Sequence, residues 1–177
     1  MPMPYFSALA LFPFLLVTAN SPQRPNWDMT NANSISQNIE SLPAADRDAI
    51  IQSLKYDPAN LRAQGVETAT GRLFIVQGAG SELCNPSGNC SFWILNNDDR
   101  ILLHTFAQNF KLQATVHAGK PDLITGMSNS TDSHDLELWE FDGTSYVPST
   151  CAQLDYTDPD GTPYLHPVLH SMTCTPR

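Results

Sequence analysis

The sequence is poor in basic residues: Lys and Arg number 9 against 18 Asp and Glu, a formal net charge of −9. Nucleic acids and anionic membrane surfaces recruit proteins through basic patches, so neither is an expected partner. Charged residues of both signs make up 15% of the chain, below the roughly 25% of an average domain. Hydrophobic residues reach 41%, which excludes a disordered chain. Several chemical signatures are missing. There is no Gly-x-Ser-x-Gly elbow for a serine hydrolase and no Cys-x-x-Cys pair for zinc. Gly78-Ala79-Gly80-Ser81 follows an apolar run, as a phosphate loop would, but a Cys-bracketed turn comes next instead of a helix. No Cys precedes Cys84, so none follows the N-terminal apolar run as a lipid-attachment site.

That apolar run, residues 6–19, is 14 residues long. A bilayer needs about 20. Val17 and Ala19 supply small residues at the −3 and −1 positions of a cleavage site, so residues 1–19 read as a signal peptide. The expected location is secreted or periplasmic, with no stable membrane insertion after cleavage. Residues 20–34, rich in Pro, Asn and Ser, read as a flexible leader in which Trp27 is the one residue suited to tuck against the domain. Residues 35–177 then form a single disulfide-stapled domain. An even number of cysteines behind a signal peptide reads as two disulfides. Three pairings exist. The turn-rich Asn-Pro-Ser-Gly-Asn between Cys84 and Cys90 favours 84–90, which leaves Cys151 with Cys174.

What is present is a pattern seen twice within residues 72–141. An apolar run closes on Gly78 or Gly126, a small polar loop follows, and then comes a strand carrying Trp93 or Trp139. The two Gly are 48 residues apart and the two Trp 46, so the chain reads as a tandem duplication of one β-unit. Hairpin turns are expected at residues 96–99 and at Asp142-Gly143. Phe110, Leu112, Ala114 and Val116 alternate with polar residues, as in a half-buried strand. One amphipathic helix is expected over residues 41–57, capped by Ser41, striped by Ile50, Ile51 and Leu54, and stopped by Pro58. The fold class is therefore mainly β (α+β): two tandem β-meander units, residues 72–117 and 121–150, packed as a sandwich or half-open barrel with one N-terminal helix. Residues 151–177, broken by prolines, read as an irregular tail.

The repeated unit, ending in the Leu-x-Leu-x-x-Phe-Asp-Gly-Thr of residues 136–144, resembles the blade repeats of FG-GAP-type extracellular propellers. That resemblance covers about 70 residues and implies an extracellular β-module that binds protein or carbohydrate. This chain has two units where a propeller has a ring. It has Ala118-Gly119-Lys120-Pro121-Asp122 where the calcium loop of those repeats would stand. The Gly78 to Cys84 segment, with Gly88-Asn89-Cys90-Ser91-Phe92-Trp93, is also similar to small secreted bacterial proteins, a likeness that carries no activity.

Candidate chemistry is sparse. Asp155, Asp158 and Asp160 precede Gly161 and could wrap calcium, although Thr157 and Pro159 interrupt the alternation and a plain acidic turn fits better. His166 and His170 have a zinc-like spacing with no adjacent Glu base. Ser133, His134, Asp132 and Asp135 bring triad residue types into one loop, whereas working triads draw on distant segments. No cofactor is expected. The favoured reading is a secreted, non-enzymatic module that binds a protein or glycan, such as an inhibitor of a secreted hydrolase. Its face is expected on the loops at residues 80–90 and 128–134, through Glu82, Trp93, Asp132, His134 and Trp139. The alternatives are a small secreted hydrolase or metal-dependent enzyme, and a structural module completed by self-association.

Overall fold

The computed structural model describes residues 25–174. The expected signal peptide, residues 1–19, and its expected cleavage site lie outside them, as do residues 20–24 of the expected leader. A 3-10 turn, Ile39–Ser41, leads into helix α1, Ala44–Leu54. Nine strands follow: β1 Leu61–Thr68, β2 Gly71–Gly78, β3 Cys90–Asn96, β4 Ile101–Ala107, β5 Asn109–His117, β6 Lys120–Ser128, β7 Ser133–Phe141, β8 Tyr146–Thr157 and β9 Pro163–Met172. They form two antiparallel meanders, a four-stranded sheet β1-β2-β3-β4 and a five-stranded sheet β5-β6-β7-β8-β9. The two sheets share one core. Leu73, Ile75, Phe92 and Ile94 of the first meet Phe110, Leu123, Trp139 and Phe141 of the second. The expected pair of packed β-meanders is therefore what forms.

Side chains alternate across a strand, so the continuous burial of β2 and β3 requires cover on both faces. The outer face of the first sheet presents Phe74, Val76, Trp93 and Leu95, and α1 covers it with Ile50 and Leu54. Helix α1 is shorter than residues 41–57. Ser41 bonds back to Asn38 O within the 3-10 turn instead of capping α1, and Lys55 ends the helix in a left-handed conformation, φ 60°. The outer face of the second sheet presents Ile124, Leu136 and Leu138, packed by Leu154 and by Trp27 and Met29 of the N-terminal segment. That segment is docked over its described part. Asn33 and Phe110 exchange backbone hydrogen bonds, 2.7 and 3.1 Å, and Asn26 N–H donates to Gln113 Oε1.

Three sequence expectations are corrected. The first unit gains β1, which the reading beyond Gly71 missed, and it closes at Ala107. The alternating strand β5 opens the second sheet instead of ending the first, because a single residue, Gln108, carries the chain across. The tail is also not irregular. Residues 151–157 finish β8, and β9 pairs along it. Its prolines fit because Pro163 begins an edge strand, Pro167 lies on that edge, and Pro148 sits at the β7–β8 bulge. Both expected disulfides form, and Cys151–Cys174 ties the end of β9 to β8.

Trp93 and Trp139 do not occupy equivalent places. Gly78 and Gly126 both lie on outer faces, as do Val76 and Ile124 beside them. The Gly spacing of 48 against the Trp spacing of 46 maps Phe92 onto Leu138, yet Phe92 faces the shared core and Leu138 faces out. A one-residue difference in pairing register reverses the faces of a whole strand. Trp93 consequently packs under α1, between the rings of Tyr56 (5.6 Å) and His104 (5.1 Å, stacked), while Trp139 points between the sheets and donates to Thr125 Oγ1 at 2.8 Å. They are 2% and 7% exposed. Both are packed as core anchors, and neither forms part of an exposed face.

Candidate functional site

The two loops expected to form one face are joined by a single side chain. Asn89 Nδ2 donates to Ser128 O and Ser128 N–H donates to Asn89 Oδ1, both at 2.8 Å. Asn89 is 3% exposed. The Cys84–Cys90 disulfide and the bond from Asn89 N–H to Asn85 Oδ1 hold the short loop around it. From there the surface continues through Gln108 to His134, whose Nε2 lies 3.3 Å from Gln108 Oε1. Glu82 and Asp132 are exposed on this rim.

His134 belongs to a cleft on the outer face of the second sheet, with a cavity volume of about 490 Å³. Its floor is Leu136 and Leu154. One wall is Trp27, Met29 and Asp28 of the N-terminal segment, and the other is Tyr156 with Pro167 and Leu169 of β9. The cleft exists because β9 is a strand. The tail taken as irregular supplies its wall.

Two polar atoms of the lining, Asn109 Oδ1 and His134 Nδ1, are buried and have no hydrogen-bond partner. A buried acceptor left unmade costs about 1–3 kcal/mol, so such atoms are uncommon without a purpose. Asn109 reaches its place over Gly126, where a Cβ would come within 2.3 Å of Oδ1. Burial holds the His134 imidazole below its ordinary pKa, with Asp135 opposing in part. The ring is therefore neutral at pH 7. With Nε2–H directed to Gln108 Oε1, Nδ1 is an acceptor. The Tyr156 ring meets His134 edge-on at 5.4 Å and fixes its plane. Asn109 Oδ1 and His134 Nδ1 are thus two unsatisfied acceptors among the residues of the lining, and Asp28 adds a charged side chain to it, its carboxylate held below the usual range by hydrogen bonds from Thr30.

The other sequence candidates are not gathered. Strand alternation directs Ser133 and Asp135 to the face opposite His134, which dissolves the apparent triad. Asp135 accepts from Asn129 Nδ2 at 2.6 Å. Asp158 and Asp160 lie together in the β8–β9 turn, where Oδ1 of each accepts from the turn backbone at Asp160 and Thr162. Asp155 lies back on β8, 3.4 Å from His170 Nε2, and His166 is exposed on β9. The calcium set Asp155, Asp158 and Asp160 therefore does not converge. Among the described residues, one set of three side chains does bring metal-ligating atoms together: His117, Asp122 and Glu140. Sequence spacing could not reveal it, because its members are joined by strand pairing. No family model, curated protein or solved structure matches the chain.

Proposed function

We propose that this chain is a secreted or periplasmic binding module for a protein partner, which inserts a basic side chain into the outer-face cleft. The observation that carries this reading is the pair of buried, unpartnered acceptors, Asn109 Oδ1 and His134 Nδ1, on residues that line a cleft together with Leu136, Leu154, Leu169 and the carboxylate of Asp28. Arg and Lys have an apolar stem and a head that only donates hydrogen bonds. The stem matches Leu136, Leu154 and Leu169, and the head matches the two acceptors and Asp28. The net charge of −9 favours encounter with a basic surface. Two disulfides are compatible with an oxidising compartment.

The test is nuclear magnetic resonance titration of the isotopically labelled oxidised chain with capped Gly-Arg-Gly, capped Gly-Glu-Gly and a neutral oligosaccharide. The Arg peptide is expected to shift the Asn109 amide and His134 ring signals, and the shift is lost in Leu169→Arg. Shifts produced by the Glu peptide or the sugar, or an Arg response unchanged in Leu169→Arg, would overturn the proposal.

A further inference from the structure

We infer that His117, Asp122 and Glu140 form a divalent transition-metal site at the β5–β6 end of the second sheet. Each comes from a different strand. His117 ends β5, Asp122 is in β6, and Glu140 is in β7. The Leu123–Trp139 pair of β6 and β7, continued by one step, sets Asp122 opposite Glu140. The Ala118-Gly119 turn, with φ 45° and 82°, brings His117 back beside Asp122. Thr70 Oγ1 pins that turn by donating to Gly119 O at 3.1 Å. One ligating atom from each of the three side chains lies within 4.8 Å of the others, and His117 Nδ1 is 2.7 Å from Asp122 Oδ1.

Two further observations point to a cation. Asp122 has a side chain only 2% exposed, and it faces a second carboxylate across the strand pair. Like charges set directly opposite each other destabilise a sheet, and a buried carboxylate needs a counter-charge. The nearby ammonium does not supply it. Lys120 Nζ lies over the Phe141 ring at 5.1 Å and donates to Thr70 Oγ1. A half-exposed imidazole is what remains, 49% exposed at the side chain, and that exposure also provides the entry path. One imidazole nitrogen with two carboxylate oxygens suits zinc or manganese, whereas calcium prefers oxygen ligands throughout. Three protein ligands leave a further position for water.

The test is calorimetric titration of the chelator-treated, oxidised full chain with zinc, manganese and calcium. One equivalent of zinc or manganese is expected to bind, with calcium at least about tenfold weaker. His117→Ala and Glu140→Gln, both at accessible positions, should each weaken binding at least about tenfold while leaving the far-ultraviolet spectrum unchanged. The control His166→Ala/His170→Ala should bind as the parent does. Absence of stoichiometric binding, undiminished binding in either single variant, or loss in the tail-histidine control would overturn the assignment.

Discussion

Asn89→Ala tests how the two loops are held together. The substitution removes two hydrogen bonds of 2.8 Å that fasten the disulfide loop to Ser128. Each such bond contributes about 1 kcal/mol net, and more where its partner is left buried and unpaired. Ser128 is half-buried, so water can reach its freed groups in part. The expected loss is about 2–3 kcal/mol, which at roughly 2–4 °C per kcal/mol lowers Tm by about 4–12 °C. Urea denaturation gives the energy, and hydrogen exchange at the Ser128 amide localises it. Asn89→Asp separates the two bonds. The carboxylate still accepts from Ser128 N–H but faces Ser128 O with a negative charge, so this variant should be the less stable at pH 7 and recover when acid protonates it. A loss below about 0.5 kcal/mol in Asn89→Ala, with Ser128 exchange unchanged, would refute the claim that this side chain joins the loops.

Two other perturbations follow from the packing and the cleft. Gly78→Ala would place a Cβ 2.5 Å from Leu83 Cβ, an atom fixed to the backbone that cannot swing away. A loss of about 1–3 kcal/mol in urea denaturation is expected, and an unchanged midpoint would show that the loop yields freely. His134 is held neutral by burial, so its folded pKa lies below the unfolded value of about 6.5. The unfolded chain then binds the proton first. Stability falls as pH drops through about 6.5 and stops falling once the folded ring is also protonated. His104, lowered by burial as well, acts in the same direction. The difference between the parent and His134→Gln isolates the contribution of His134, and parallel stability–pH curves would contradict it.

The legible elements were those written in local chemistry. Asp142 accepts from the backbone of Thr144 and Ser145, and Asn96 accepts from Asp98 and Arg100, so both hairpin turns are specified by residues next to them. The Asp142-Gly143 hairpin still opens into four residues between Phe141 and Tyr146, because the register of its strands sets the loop length. Strand β9 was hidden by prolines, which read as breakers until their position on an edge is known. Of the candidate cleft, His134 was legible. Asn109, Tyr156 and Leu169 were not, since nothing local marks an alternating strand residue as the lining of a cleft.

The sequence by itself determined a mainly β chain with two meanders and one helix. It also pointed to two disulfides, because apolar periodicity, turn residues and cysteine spacing act over a few residues. Only the tertiary structure decided which face each tryptophan took, that the last strand builds a cleft wall, and that His117, Asp122 and Glu140 meet. Those outcomes depend on strand register, where a shift of one residue exchanges core for surface.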